Sequence, residues 1–316
     1  MNAQQKPAWL RNWRDYVIYL VFVGIFVVFS ALLHNRGFLS SGNLMNIARQ
    51  TAMIAIMAVG MTFVLSAAEI DLSLGGVVAL SALVSALTLR HTGIVPVAAL
   101  AGLAAGATVG AVNGFFVAKV GIPSFLVTLG MTGIVTGVAR WISGLQSVPV
   151  SNDTFTWLFG SGNIGPISIL FVWTLVVALV GSLCLRRTQF GREVLAAGGN
   201  KTAALYSGVK VNMIKFKVML LNSCLAALAG ILYAGRLHGA RYTLGENDVM
   251  LVVAAVIIGG TSLFGGKGTV IGSIVGALIM GMVNNGLILG GLSVDQQMIF
   301  RGVIIILSVT LTMGKK

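Results

Sequence analysis

Ten long apolar segments, separated by short polar links, run along nearly the whole chain. Each approaches the ~20 residues that an α-helix needs to cross the hydrocarbon core of a bilayer. Backbone groups find no water there, so such segments must be helical. The segments are Tyr16–Leu33, Leu44–Ser66, Ile70–Leu89, Ile94–Ala118, Ser124–Ser143, Ile167–Leu185, Val218–Ala234, Val249–Leu263, Thr269–Leu289 and Ile299–Met313. The sequence therefore predicts an all-α polytopic membrane protein with about ten transmembrane helices, the second and third of which are alternatively one broken segment.

The composition agrees with this class of protein. Hydrophobic residues make up 57% of the chain and charged residues only 9%, whereas a soluble domain has about 25% charged residues. The 41 glycines allow membrane helices to approach closely. We expect a single transmembrane domain over residues 1–316, with Cys184 and Cys224 as reduced, buried thiols and no metal site.

The basic residues predict the topology. With ten spans and a cytoplasmic N-terminus, fourteen of the 21 Lys and Arg residues fall in links on the inner side, all the lysines among them. Such an excess follows the positive-inside rule and places both termini in the cytoplasm. The net charge of +13 is then a topology signal, and we expect no nucleic-acid binding.

The longest polar interval, Arg186–Lys217, carries seven basic residues and one acid. The topology makes it a large cytoplasmic loop. Its sequence predicts a short helix near Arg192–Ala197, a break at Gly198 and Gly199, and a second helix that Asn200 caps. Gly191 and Gly208 are expected at its turns. A small-faced helix of this kind can fit a groove on another protein, although a loop kept for its charge is the alternative.

The main extracytoplasmic loop is expected at about residues 145–166. Its proline, glycine, serine and asparagine content is typical of turns and short irregular structure. Phe155, Trp157 and Phe159 give it a candidate docking surface, and an ordinary, partly packed loop is the alternative.

Two acids, Glu69 and Asp71, lie in the link between the second and third spans. Acids at membrane depth are costly and mark a solute path, a coupling ion or a structural pair. Asp71 and Ser73 also fit a helix start, because both side chains can accept hydrogen bonds from free backbone N–H groups. All of these readings stay open, and the path reading makes Glu69, Asp71 and Ser73 candidate path residues.

A glycine stripe marks the fourth span, which we expect to pack tightly on a neighbouring helix. Asn113 lies beside it, and a shift of 171 residues superimposes Val112-Asn113 on Val283-Asn284. The two helices would have opposite orientations, as in inverted-topology transporter repeats; a chance agreement between two glycine-rich helices is the alternative. Asn113 and Asn284 either hydrogen-bond between helices or contact a polar solute. The stripe consists of Gly102, Gly106, Gly110 and Gly114.

Nothing in the sequence supports catalysis or nucleotide binding by this chain. His34, His91 and His238 lie in separate links, without the spacing of a hydrolytic motif. Gly266-Lys267 resembles the end of a phosphate loop, but Gly268 follows where that loop requires Ser or Thr. We therefore expect a protein that is not an enzyme and that binds no cofactor itself.

Four stretches resemble the permease subunit of ATP-binding-cassette sugar importers, in the branch that contains ribose, xylose, arabinose and autoinducer-2 permeases. They occur in the expected order and span nearly the whole chain. Glu69 departs from the pattern, since many members have glycine there. The stretches read AVGMTFVLSAAEIDLSLGGVVAL, NGFFVAKVGIPSFLVTLGM, TQFGREVLAAGGNKTAALYSGVKV and VVAAVIIGGTSLFGGKGTVIGSIVGAL.

The resemblance implies a vitamin-B12-permease-like arrangement in a bacterial inner membrane, surrounded by lipid and built with a second permease copy or paralogue. It also implies a cytoplasmic ATP-binding subunit, which carries ATP and Mg²⁺, and a periplasmic sugar-binding protein. By the same resemblance, ATPase coupling is expected of eight loop residues. These are Gly191, Arg192, Gly198, Gly199, Asn200, Ala203, Ala204 and Gly208.

Two other classes of protein remain as alternatives. An ion-gradient-driven secondary transporter would need acids deep in its spans, and the chain has only the pair at Glu69 and Asp71 there. A channel or membrane scaffold would not need so elaborate a cytoplasmic loop. The sequence favours the importer permease over both.

Overall fold

The computed structural model describes residues 13–313, and the side chains of residues 18–304, 306 and 310. In this part of the chain the fold is almost entirely helical. Two two-residue strand pairs are the exception. Besides the one-turn helix Asp153–Thr156, the α-helices are α1 (Trp13–Leu32), α2 (Ser41–Ser66), α3 (Leu74–Thr92), α4 (Val95–Phe115), α5 (Ser124–Ser143), α6 (Ile169–Arg187), α7 (Gln189–Gly199), α8 (Lys201–Tyr206), α9 (Val211–Arg236), α10 (Asp248–Ile258), α11 (Val270–Leu289) and α12 (Val294–Met313).

Every predicted apolar segment overlaps one of these helices. Among the described residues, seven helices are long and apolar enough to cross a membrane: α2 to α6, α9 and α11. Two further apolar stretches are shorter, Ile18–Leu32 in α1 and Asp248–Ile258. The chain is thus a polytopic membrane protein. The inverted repeat and the vitamin-B12-permease-like arrangement stay predictions.

The eighth predicted span differs from its helix. A segment of spanning length was expected over Val249–Leu263, but α10 ends at Ile258. Gly260 then adopts a φ of +89°, a left-handed conformation that glycine takes at little cost and that ends helices. Gly259 lies against the backbone of Gly272 at the start of α11. The helix ends here because the chain must turn back at once.

The glycine stripe of α4 faces α9, as the sequence predicted. A Cβ atom on Gly106 would overlap the Cβ of Ala227, and one on Gly110 would lie 2.7 Å from the Cβ of Ser223. Real Cβ atoms do not approach that closely, so only glycine allows the two helices to meet here. The glycines thus bring the backbones of α4 and α9 into close contact.

Links that the sequence assigned to the cytoplasmic side meet at one end of the bundle, which we call the α7–α8 end. The α2–α3 link, the α7–α8 segment, the first turns of α9 and the turn before α11 all lie there. At the opposite end, β1 (Val148–Pro149) pairs with β4 (Gly239–Ala240). A second pair, β2 (Asn163–Ile164) with β3 (Ile167–Ser168), lies in the same outer loop.

Candidate functional site

A break between α2 and α3 dominates the polar interior. The chain leaves helical geometry after Ser66 and resumes it at Leu74, and Ala68 has a φ of +59°. Irregular backbone at membrane depth is tolerated only where other groups satisfy its hydrogen bonds. The partners of this link therefore decide what the break can do.

Hydroxyl groups on α5 supply several of those hydrogen bonds. Ser124 Oγ accepts from the N–H of Ile70 at 3.0 Å, and Thr128 Oγ1 accepts from the N–H of Leu72 at 3.1 Å. Thr132 Oγ1 donates to the carbonyl of Leu72 at 3.1 Å. Residues four apart share one face of a helix, so these side chains form a row along α5. We call Ser124, Thr128, Thr132 and the next member, Thr136, the hydroxyl ladder.

The Asp71 carboxylate is wholly buried within a network of hydrogen bonds. Its Oδ1 accepts from the backbone N–H and the hydroxyl of Ser73, at 2.9 and 2.6 Å. Its Oδ2 accepts from the Asn222 amide at 2.9 Å, and Asn113 donates to the Ser73 hydroxyl at 2.9 Å. A buried carboxylate needs such partners because it has lost its water. The network ties the break to α4 and α9.

Three of the five candidate path residues therefore meet in one place. Asp71, Ser73 and Asn113 are each 0% exposed, and their polar atoms point at one another. The helix-start reading of Asp71 has direct geometry behind it, although Ser73, the residue before α3, makes no side-chain cap of its own. Asn284 lies elsewhere: it accepts a hydrogen bond from Arg301 on α12.

Glu69 forms an ion pair with Lys215 in the first turns of α9. It is the one ion pair found among the described residues, with the Glu69 side chain 7% exposed and that of Lys215 21%. The pair joins the α2–α3 link to the helix that follows the large loop.

The large loop is more ordered and shorter than the sequence predicted. Its first helix, α7, covers residues 189–199, longer than the predicted Arg192–Ala197. Asn200 caps α8 as expected, because its Oδ1 accepts from the N–H of Ala203 at 3.0 Å. Residues 211–217, assigned to the loop, form the first two turns of α9. They continue the helix because nothing in VNMIKFK breaks it.

The base of α7 is fixed against α2. Gly198 lies so close to the carbonyl of Ser66 that any side chain would overlap it. The same carbonyl accepts from the N–H of Gly266 at 3.0 Å, in the turn before α11. The Phe190 ring stacks on Phe63 with centroids 5.9 Å apart. The Gly198–Ser66 contact between the two elements is backbone to backbone, with no flexible side chain between them.

Of the other loop residues, some pack against the bundle and others are exposed. Gly191 is buried in the first turn of α7 against the carbonyls of Cys184 and Leu185, so it is a contact point and not the turn that was expected. Gly208 does form a turn, with a φ of +82°. Arg192, Gly199 and Ala203 are exposed, whereas Ala204 is buried.

An apolar surface projects from α8. Tyr206 is 90% exposed and Leu205 is 51% exposed, and the exposed cations Lys201 and Lys210 flank them. We call Ala203, Leu205 and Tyr206 the α8 surface. A large aromatic side chain so fully exposed on a polar loop is typical of a protein–protein contact.

Two of the three aromatic residues in the outer loop are buried, so they do not form an exposed docking surface. Phe155 is 0% exposed, and Phe159 is 7% exposed against Trp173. Only Trp157 remains half exposed, at 50%. The partly packed loop is therefore the better description of this segment.

The sequence analysis did not predict two polar features of the fold. The first is the hydroxyl ladder, which the four-residue spacing of Ser and Thr from Ser124 onward could have indicated. The second is a cavity of ≈ 100 Å³ at the Thr132–Thr136 end of the hydroxyl ladder. Its lining includes Thr132, Thr136, Tyr242 and Glu246. No local signal identified it, since its walls come from three distant parts of the chain.

Comparison with known proteins assigns a family. Residues 43–309 match the family described as the permease component of the branched-chain amino acid transport system. The chain is 40% identical to the ribose import permease protein RbsC of Escherichia coli (strain K12) over 305 residues, which cover 96% of this chain and 94% of the relative. No solved structure matches it.

Two further relatives have other sugars in their names. The D-allose transport system permease protein AlsC of Escherichia coli (strain K12) is 34% identical, over 95% of this chain and 91% of its own length. The L-arabinose ABC transporter permease protein AraH of Azospirillum brasilense is 35% identical, over 92% of this chain and 85% of its own. All of these relatives match along nearly their full length.

Proposed function

Because the chain belongs to the family described as the permease component of the branched-chain amino acid transport system, we propose that it is the membrane subunit of an ATP-driven sugar importer. It is a transport component and not an enzyme. The relatives named for ribose, D-allose and L-arabinose support a pentose, a hexose or a related small polyol as the solute. One observation carries the proposal. At the α7–α8 end, the exposed apolar α8 surface lies next to α7, which is in backbone contact with α2 beside the α2–α3 break.

The partner at the α8 surface is, in this proposal, a cytoplasmic ATP-binding subunit. Leu205 and Tyr206 enter a groove on that subunit, and the cations around them meet acidic residues at its rim. ATP and Mg²⁺ bind the partner subunit and not this chain. When the ATP-binding subunit closes, it displaces α7, and the Gly198–Ser66 contact passes the displacement to α2.

The remaining partners follow from the same proposal. A periplasmic binding protein delivers the sugar to the opposite end of the bundle, where the outer loop and the β1–β4 pair lie. A second permease copy or paralogue, together with lipid, covers the exposed apolar faces of α5 and α6. The complex lies in a bacterial inner membrane with both termini of this chain in the cytoplasm.

An ion-gradient-driven secondary transporter is the alternative, and the energy source that drives uptake distinguishes it from the importer. The sugar importer would keep its uptake when an uncoupler collapses the proton gradient and lose it when ATP is depleted. A secondary transporter would show the reverse. Uptake of radiolabelled D-ribose in cells treated in these two ways distinguishes them, with a known ATP-driven importer in the same cells as the control.

The coupling surface is tested by co-purification of the ATP-binding subunit. Tyr206→Ala and Ala203→Glu should each lower its recovery, because they remove an exposed anchor or add a bulky acid at the contact. Ala204→Glu is a poorer test, since Ala204 is buried and the variant would unfold α8. Trp157→Ala, an equally large change at the opposite end, is the matched control. Unchanged recovery with both α8 variants would contradict the coupling assignment.

A further inference from the structure

A small cavity lies where the start of α3 and the irregular segment before α10 meet the helix α5. Its walls are the first turn of α3 at Gly75, the α5 residues Thr132 and Thr136, and the segment Tyr242–Val249 that leads into α10. Gly75 and Gly245 are in backbone contact there, at a separation that leaves no room for a side chain. Discontinuous helices with irregular backbone lining a cavity are how transporters build solute sites within the membrane.

The polar groups facing this cavity lack partners within the described chain. The first three hydroxyls of the ladder bind the α2–α3 link, but no hydrogen bond engages Thr136 Oγ1 among the described residues. In the same part of the chain, none engages the hydroxyl of the half-buried Tyr242 or the carboxylate of Glu246, an exposed residue that also lines the cavity. Thr136 lies about 18 Å along a helix of about 30 Å, so these groups are well away from the α7–α8 end.

The arrangement of the three groups is selective. Arg140 stacks on the Tyr242 ring, with its guanidinium carbon 5.4 Å from the centroid, which holds the phenol at the cavity. A carboxylate accepts hydrogen bonds from hydroxyl groups, and the phenol and threonine hydroxyls can both donate and accept. A neutral polyhydroxylated molecule offers both kinds of group at once. An apolar solute would offer no hydrogen bond to any of the three groups.

We propose that this cavity is a solute-contact site of the transport path, where Thr136, Tyr242 and Glu246 exchange hydrogen bonds with the hydroxyl groups of a sugar. The proposal rests on the proposed function and adds residues that no comparison assigns. The cavity volume of ≈ 100 Å³ is well below the ~300 Å³ at which binding pockets for small molecules usually begin. A site this small fits brief contact during passage and not storage.

The first experiment requires no knowledge of the sugar. In a Cys184→Ser, Cys224→Ser background, Thr136→Cys should react with a water-soluble methanethiosulfonate at least about tenfold faster than Thr108→Cys, since thiol reactivity needs access to water. Thr108 is exposed on α4, and among the described residues its hydroxyl bonds to the carbonyl of Ala104, so it reports the background rate of an exposed helix face that does not line the cavity. Equal rates would overturn the proposal.

The second experiment measures ATP-driven uptake of radiolabelled D-ribose, D-allose and L-arabinose by the complete importer. Glu246→Gln should lower uptake about tenfold, and Tyr242→Phe and Thr136→Val about three- to tenfold each. Glu246→Asp should restore part of the loss. The matched controls are Asp295→Asn, an exposed acid on α12, and Thr108→Val, and both should leave uptake unchanged.

The readouts separate this proposal from the proposed function. Co-purification of the ATP-binding subunit should be normal in every cavity variant, because the cavity is far from the α8 surface. If cavity variants and controls transport alike, the site is wrong while the importer stands. If the unmodified protein takes up none of the three sugars, the proposed function fails for them, and the thiol rates still decide whether the cavity is a water-accessible path.

Discussion

Gly198 at the end of α7 is the most sensitive point in the proposed coupling route. Replacing it with alanine places a Cβ atom inside the contact distance of the Ser66 carbonyl. That oxygen cannot move away freely, because it also accepts the Gly266 N–H at 3.0 Å. We expect Gly198→Ala to separate α7 from α2 and to weaken coupling.

The neighbouring glycine supplies an internal control. A Cβ on Gly199 would come no closer than 3.4 Å to Gly266 Cα, which is a normal van der Waals separation. Both glycines lie in the last turn of α7, so both variants share the helix-propensity gain of about 0.5–1 kcal/mol. The difference between them isolates the steric cost, which is about 1–3 kcal/mol for an overpacked site.

Two measurements check this prediction. Thermal unfolding in detergent should give a lower midpoint for Gly198→Ala than for Gly199→Ala. ATP-driven sugar uptake should fall in the first variant only, with the ATP-binding subunit still bound, because the α8 surface is intact. If the two variants unfold at the same temperature and transport equally, α7 does not seat on α2 as described, and the coupling route is wrong.

The other predictions concern the broken-helix core. Asp71→Ala should destabilise the protein by about 1–3 kcal/mol, because it leaves the buried Asn222 amide and Ser73 hydroxyl unpaired. Asp71→Asn should cost less, since the Asn222 Oδ1, which has no partner among the described residues, can accept the new amide after a flip; equal unfolding midpoints for the two variants would contradict this. Glu69→Gln and Lys215→Met should each cost about 1–3 kcal/mol, below the value for a fully buried pair because Lys215 is partly exposed. A double-mutant cycle that shows no coupling between them would refute a stabilising ion pair.

Features that depend on near neighbours in the chain could be predicted from the sequence. The spacing of the glycine stripe predicted the packing face of α4, and the residue type and position of Asn200 predicted a helix cap. The α2–α3 break was visible as an acid-containing interruption between apolar segments. Each of these needs only the rules of local geometry, which operate over about one or two turns.

Other features depend on contacts between distant residues. No local pattern indicates that Asp71 bonds Asn222, or that Glu69 pairs with Lys215 after a long intervening sequence. The cavity at Thr136, Tyr242 and Glu246 needs three segments that only the folded bundle brings together. The early end of α10 was missed because Val249–Leu263 is apolar enough to span, and the tight return at Gly260 outweighs that hydropathy.

The Asp71–Asn222 hydrogen bond also has a consequence for biogenesis. Its two residues are 151 positions apart, and a ribosome adds about 5–20 residues per second. Asp71 therefore enters the membrane about 8–30 s before its amide partner has been made. During that interval the carboxylate keeps its local partner Ser73 but lacks the Asn222 amide, so the α2–α3 pair stays incompletely packed until α9 is inserted. A chain released before α9 is inserted would leave the Asp71 carboxylate without the hydrogen bond from Asn222.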